Sequence, residues 1–452
     1  MNWSYPCGII LLDIGRNSGS NMAYSRIKHI TVPGLRLHLR RGEPDMLWVN
    51  GENLLILNET ASDFIEAFIE VMANYPEELD NRRFKEELIA RMQQKYPRAP
   101  AAVLLNDFDN IYGSLLEIGS GSCPVSDVKL DTRAVNPQKW TAPPRMDLAL
   151  TYRCNNNCYF CYTGGPQKVT ELDTASWKQI LDKLWDNGVP QVVFTGGEPT
   201  LREDLVELVD HAKEFVTGLI TNGRKLPDLA ADLKKVDLDY IQVSLEANTP
   251  QIHDHMVRIE GAWQETVAGI TAALNSGLEV ITNTTLTKDN IDTFSETIAF
   301  GASLGLKTMA SNTLLCSGRG TCSRQNEGVP FDQLKIAIKK AQETAHKAGV
   351  RLEWYSPTCY KQFNPIEFGL GPKSCSAAQY NMTIEPDGAV IPCQSWLKEK
   401  TGNILREPWE QIWNNPINVD LRNKKYLKDR EECRECEYLA ECCGGCPLEY
   451  AH

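Results

Sequence analysis

From Met146 to about Ser311 the chain repeats one pattern: a short apolar run, then a longer stretch with helical spacing. The strand-like runs are MDLALTY (146–152), QVVFTG (191–196), TGLITN (217–222), YIQVSLE (240–246), EVITNTTL (279–286) and LKTMAS (306–311). After the first, residues 173–187 place Ile180, Leu181, Leu184 and Trp185 on one helical face, and Gly188 stops the helix. Strands separated by helices cannot close as hairpins. They predict a parallel sheet, and six such units fit an α/β fold of the partial (β/α)6, TIM-like barrel type. In such barrels the chemistry sits at the C-terminal ends of the strands.

The earlier part of the chain reads differently. Residues 47–58 alternate and turn at Asn50-Gly51, which predicts a hairpin. Helical spacing follows in three places: Glu59, Phe64, Ile65, Phe68, Ile69 and Met72; then Phe84, Leu88, Ile89 and Met92; then Phe108, Ile111, Tyr112 and Leu115. Strands followed by three helices make a small α+β module. The stretch after it is rich in Gly, Ser, Pro and Asp and has no period, so it reads as a linker. The first residues carry an apolar patch, Gly8 to Leu12, without the marks of a signal peptide, and read as a disordered extension with Met22 as an alternative start. Beyond Arg351 helical spacing fades and cysteines take over. The expected organisation is therefore 1–24 extension, 25–118 N-terminal module, 119–143 linker, 144–350 barrel and 351–452 cysteine-rich domain.

Charge and cysteine content narrow the function. The formal charge of -12, with no basic stretch, argues against nucleic acid as a partner. No run of 18 apolar residues indicates a membrane span. Fifteen cysteines in a long chain without a secretory signal point to metal or redox chemistry in a reducing cytoplasm rather than to disulfides.

The strongest motif is Cys154-Asn-Asn-Asn-Cys158-Tyr-Phe-Cys161, directly after the first barrel strand. A CxxxCxxC loop gives three thiolates to one face of a [4Fe–4S] cluster, and three leave one iron open where four would saturate it. A structural zinc site closes on four ligands, and no fourth Cys or His lies nearby. Phe160, just before the third cysteine, would shield the cluster. This loop resembles the signature of the radical S-adenosylmethionine superfamily. The resemblance implies that S-adenosylmethionine chelates the open iron and is split reductively to methionine and a 5′-deoxyadenosyl radical, which abstracts a substrate hydrogen. Thr195-Gly196-Gly197-Glu198-Pro199 resembles the family's GGEP element: the glycines let backbone approach, and Glu198 can accept from an ammonium group. By the same resemblance Ser244 and Glu246 contact the cofactor, Arg258 pairs with its carboxylate, and Thr221-Asn222-Gly223 forms the turn after the third strand. His253 and His255 invite a ligand or acid–base reading, against which stands the plainer one of solvated loop histidines.

Further on, Cys375-x12-Gly388-x4-Cys393 and Cys433-x2-Cys436-x5-Cys442-x3-Cys446 resemble the SPASM extension, which carries two auxiliary iron–sulfur clusters. Pro386-Asp387-Gly388 predicts a hairpin turn that brings Cys375 and Cys393 together. The resemblance implies Cys375, Cys393, Cys446 and Cys359 as ligands of the first auxiliary cluster, and Cys433, Cys436 and Cys442 of the second. It also implies a further cysteine downstream of Cys446. Cys443 in its place, a terminal His452 or an open iron are the alternatives; a zinc ribbon is the alternative for the whole pattern. The Gly318-Arg319-Gly320 turn is expected to line the cavity, with Cys316 and Cys322 unassigned and Cys7 and Cys123 incidental.

Leu57-Asn58-Glu59-Thr60-Ala61 resembles the PqqD-like, winged-helix-like module that recognises leader peptides by adding them as a strand to a sheet edge. Asn58 is placed to cap the helix behind it. The combined resemblance implies a maturase of ribosomally made precursor peptides, fed electrons by a flavodoxin or ferredoxin, whose product is a crosslink, a thioether, an epimerised centre or an excised fragment. Tetrapyrrole or other cofactor biosynthesis and sulfatase-type protein maturation are the alternatives.

Overall fold

The computed structural model describes residues 10–12, 28–32, 35–41, 45–50, 53–74, 81–119, 140–167, 169–428 and 430–449. Two compact units divide the chain, Tyr5–Trp140 and a larger one built from Thr141–Lys213 and Thr217–His452.

The first unit opens with strands β1 (Ile10–Leu12), β2 (Lys28–Val32), β3 (Leu35–Arg40), β4 (Asp45–Val49) and β5 (Asn53–Leu57), in the order β1-β5-β4-β3-β2. Helices α1 (Glu59–Asn74), α2 (Asn81–Lys95) and α3 (Ala101–Gly119) follow. Alternation in β3 turns Leu35, Leu37 and Leu39 into a core shared with Leu47, Leu55, Phe64, Phe68 and Phe108. Each such side chain, fully buried, contributes about 1.5–3 kcal/mol. Asn50 takes the left-handed conformation the hairpin turn needs (φ 56°). The Asn58 side chain caps α1, accepting from the Ala61 N–H at 2.9 Å. The β2–β3 hairpin was not expected. Within the segment expected as a disordered extension, Ile10–Leu12, part of its apolar patch, pairs in parallel with Leu55–Leu57, the open edge of the sheet. The expected linker lies almost wholly outside the described residues.

In the larger unit the β/α alternation is realised. Strands β6 (Arg145–Thr151), β7 (Gln191–Gly196), β8 (Val216–Thr221), β9 (Tyr240–Ser244), β10 (Glu279–Leu286) and β11 (Thr308–Thr313) stand side by side. The helices between them are α4 (Thr174–Asp186), α5 (Leu205–His211), α6 (Leu226–Lys235), α7 (Pro250–Val257), α8 (Ala262–Asn275) and α9 (Phe294–Ser303); α10 (Arg319–Glu327) and α11 (Phe331–Ala348) come after β11. The boundary expected at 350 is corrected. Strand β12 (Arg351–Trp354) pairs in parallel with β11, and β13 (Asn381–Ile384) pairs in parallel with β6 on the opposite flank. Strands β14 (Ala389–Ile391) and β15 (Gly402–Asn403) continue that flank antiparallel, so the cysteine-rich segment shares one ten-stranded sheet with the barrel. The unpaired edges of an open parallel sheet supply the reason: each flank can take another strand. Among the described residues no helix is long and apolar enough to cross a membrane.

Candidate active site

The C-terminal strand ends converge on a cavity of about 250 Å³. Cys154, Cys158 and Cys161 line it together, on the loop that leaves β6. That loop is fastened from outside. Arg224 donates to Asn155 O (2.6 Å) and Asn156 Oδ1 (3.0 Å), and Arg319 donates to Asn157 Oδ1 (2.6 Å) and Cys158 O (3.1 Å). The Asn157 and Tyr159 N–H groups donate to Val257 O and Met256 O at the end of α7. Burial pushes the Cys154 thiol up to about 12 and the Cys158 thiol well above its usual range. Such thiols ionise only against a strong cation, so iron binding releases their protons.

Gly196 and Gly197 line the cavity beside Thr195. Their missing side chains have a reason: a Cβ on Gly196 (φ 134°) would collide with the Thr151 carbonyl, and one on Gly197 with that of Arg153. Glu198 does not line the cavity. Its Oε1 accepts from Thr200 N–H (3.0 Å), Thr200 Oγ1 (2.6 Å) and Thr221 Oγ1 (2.7 Å), and its Oε2 accepts from Asn222 N–H (2.7 Å). These bonds tie the turn after β7 to the end of β8, so Glu198 acts as a brace beside the cavity that Gly196 and Gly197 line.

Phe160, Ser244 and Glu246 face the cavity as expected. Burial pushes the Glu246 carboxyl up to about 8, against one opposing hydrogen bond from Thr285 N–H (2.8 Å) to Oε2. Arg258, expected to pair with the cofactor's carboxylate, does not line the cavity: it is exposed, caps α7 in the left-handed conformation (φ 58°), and stands over the Tyr159 ring at 5.9 Å. The solvated reading of His253 is corrected. It lies buried on α7, its Nδ1 accepts from Glu246 N–H at 3.2 Å, and burial pushes it down to about 4. His255 is exposed, as expected. The Gly318–Gly320 turn lies behind the cysteine loop rather than along the cavity, with Arg319 N–H on Cys161 O at 2.9 Å.

One set of lining residues escaped the sequence reading. Gln242, Asn283 and Asn312 form a row of carboxamides across β9, β10 and β11, and Asn283 Nδ2 donates to Asn312 Oδ1 at 2.7 Å. A signal was available for Gln242, a polar residue between Ile241 and Val243 in β9, but Asn283 and Asn312 stand among other polar residues, Thr282 and Thr284 in β10 and Ser311 and Thr313 in β11. Tyr162 and Tyr355 also line the site.

The cysteine-rich segment divides in two. Cys375, Cys393 and Cys446 line the same cavity as the CxxxCxxC loop, and Cys375 and Cys393 meet across the β13–β14 hairpin, whose turn carries Gly388 at φ 83°. Cys433, Cys436 and Cys442 do not line it, and neither does Cys359, expected beside Cys375. The loop around residue 359 packs on Cys442 instead, with Tyr360 N–H donating to Cys442 Sγ at 3.5 Å. Cys443 lies on the Cys375 side, in the left-handed conformation (φ 49°). Among the described residues no three Cys, His, Asp or Glu side chains converge tightly enough to share one metal ion. A cubane does not ask this of them, because each thiolate takes an iron of its own. Cys7, Cys123 and His452 lie outside the described residues, as does the side chain of Cys322.

Comparison with known proteins agrees with this geometry. Residues 148–301 match the radical SAM superfamily and residues 375–437 match SPASM, an iron–sulfur cluster-binding domain. The chain is 30% identical to the PqqA peptide cyclase of Gluconobacter oxydans over 320 residues, which take in 68% of this chain and 86% of that protein. It is 26% identical to the AdoMet-dependent heme synthase of Methanosarcina barkeri over 336 residues, 69% of this chain and 93% of the other. In fold it is similar to Streptococcus suis SuiB bound to precursor peptide SuiA, with a TM-score of 0.61 at 15% identity over 91% of this chain and 94% of that one.

Proposed function

The chain belongs to the radical SAM superfamily, as a SPASM-domain enzyme that works with [4Fe–4S] clusters and S-adenosylmethionine, and we propose that its substrate is a ribosomally made precursor peptide. One observation carries this reading. The cavity that Cys154, Cys158 and Cys161 share with Cys375, Cys393 and Cys446 is also lined by the carboxamides of Gln242, Asn283, Asn312 and Gln394, and among the described residues by no Lys, Arg or His. A carboxamide donates and accepts, as a peptide bond does, so a row of them suits extended peptide backbone. A tetrapyrrole brings carboxylates, which call for cations that this lining does not offer.

When bound, the cluster and S-adenosylmethionine supply a one-electron reductive cleavage and, with it, a radical able to take a hydrogen atom. The protein's own groups set the conditions. Gly196 and Gly197 let backbone close on the cofactor, while Phe160, Val257 and Leu315 exclude water. Glu246, which lines the cavity two residues beyond Ser244, holds its proton near neutral pH and can donate it to a bound hydroxyl or amide. Cys375, Cys393 and Cys446, which line the cavity, would hold one auxiliary cluster, and Cys433, Cys436 and Cys442, which do not, would hold another. The N-terminal unit captures the leader through its sheet edge in the PqqD-like manner, and a flavodoxin or ferredoxin delivers the electron.

The test is co-expression of the whole chain with the short peptides encoded beside its gene, followed by mass spectrometry. A loss of two hydrogens or of a fragment from the peptide supports the reading, and for an unchanged mass, deuterium uptake from heavy water reports epimerisation. Peptides that emerge with neither change speak against it.

A further inference from the structure

The thiols of the cysteine-rich segment are sorted by space in a way their order along the chain does not show. Cys375, Cys393 and Cys446 open onto the cavity, whereas Cys359, Cys433, Cys436 and Cys442 do not. The segment after β12 passes beneath the loop that carries Cys433 to Cys446, and its contacts bracket residue 359. On one side of it Thr358 O accepts from the Cys442 thiol at 3.5 Å; on the other, Tyr360 N–H donates to Cys442 Sγ at 3.5 Å. Gly445 leans so close that a Cβ there would stand 3.1 Å from Cys359 N. Lys361 Nζ donates to Glu432 O at 3.1 Å, and the Tyr360 and Tyr438 rings meet at 6.3 Å.

Residue 359 is also held in place. Its carbonyl accepts from the Gln362 and Phe363 N–H groups, both at 2.9 Å, in a single tight turn.

We propose that Cys359 is the fourth thiolate of the distal cluster, joining Cys433, Cys436 and Cys442, and is not a ligand of the cavity-facing cluster. The ligand therefore enters from upstream, off the end of β12. Four thiolates saturate the distal cluster, which suits it to pass electrons without binding substrate. The cavity-facing cluster keeps Cys375, Cys393 and Cys446, with Cys443 on the same side. This assignment rests on the iron–sulfur reading of the segment and not on the identity of the substrate.

The experiment uses the full chain, reconstituted anaerobically, with Cys154, Cys158 and Cys161 all changed to Ala so that only auxiliary iron remains. In that background Cys359→Ala, Cys433→Ala and Cys393→Ala are made singly and in pairs, and iron per chain and the electron paramagnetic resonance of the reduced protein are read. Ligands of one cluster are not additive, whereas ligands of two clusters are. The expected result is that Cys359→Ala with Cys433→Ala loses no more iron than Cys433→Ala alone, about one cluster's four irons. Cys359→Ala with Cys393→Ala should lose both resonances. The reverse pattern, or a Cys359→Ala protein that retains both resonances, overturns the assignment. Cys359→Ser, which keeps the volume and an oxygen donor, should keep the fold while shifting only the distal resonance; a shift in the cavity-side resonance overturns the assignment as well. A parent protein that takes up no auxiliary iron at all would instead refute the iron–sulfur reading beneath it.

Discussion

Glu198 holds Asn222: its Oε2 accepts the Asn222 backbone N–H at 2.7 Å, and the Asn222 carboxamide in turn donates to Asn155 Oδ1 at 2.7 Å inside the cysteine loop. The GGEP glutamate thus reaches the cluster loop through the β8 turn and not through the cavity. Glu198→Gln puts an amide among four donors and leaves at least one of them unmatched. It should cost about 1–3 kcal/mol of stability and loosen Cys154, whose Sγ accepts from Asn156 N–H at 3.3 Å. Thermal unfolding and iron per chain check this; an unchanged melting point would show that the four contacts carry little.

Cys154→Ala, Cys158→Ala and Cys161→Ala should each abolish cleavage of S-adenosylmethionine while leaving the auxiliary iron in place. About four irons per chain should be lost in each. Full activity in any of the three, measured as 5′-deoxyadenosine released, would remove that thiol from the open cluster.

His253 sets a pH dependence. Burial lowers its folded value to about 4 from the ordinary 6.5, so the unfolded chain binds the proton first. The stability that the neutral, buried ring supports is present above about 6.5 and is lost as pH falls toward 4, by up to ~3 kcal/mol. His253→Gln should flatten the fall in melting temperature between pH 6.5 and 4.5 relative to the parent chain. Parallel curves would assign the acid sensitivity elsewhere.

Much of this was legible in the sequence because the information is local. The CxxxCxxC ligands lie within one loop, and the β/α period repeats through β6 to β11, so both survive without knowledge of the tertiary structure. What was missed depends on direction. Glu198 and Arg258 sit at the right places in the chain but point into the β8 turn and over Tyr159. Cys359 was grouped with the thiols that follow it in order, whereas the path after β12 brings it to Cys442. Gln242, Asn283 and Asn312 meet only through the sheet register, in which Gln242 pairs with Ile281 and Asn312 with Thr285.

Strand β1 bears on substrate capture. Ile10–Leu12 occupies the β5 edge in parallel, where an incoming leader strand would have to displace it. Three ladder positions at about 0.5–1 kcal/mol each set the scale of that competition. A chain beginning at Met22 should bind a leader peptide about tenfold to about a hundredfold more tightly, as read by fluorescence anisotropy. Equal affinity for the two chains would place leader binding at another edge.

The most direct measurement of the account is isotope transfer. The reconstituted, reduced enzyme is given S-adenosylmethionine and its precursor peptide with deuterium on every carbon of the core segment, and the 5′-deoxyadenosine released is weighed by mass spectrometry. The account predicts one added deuterium in that product, dependent on the leader and absent in Cys158→Ala. Undeuterated 5′-deoxyadenosine, formed at the same rate with or without the peptide, would contradict it.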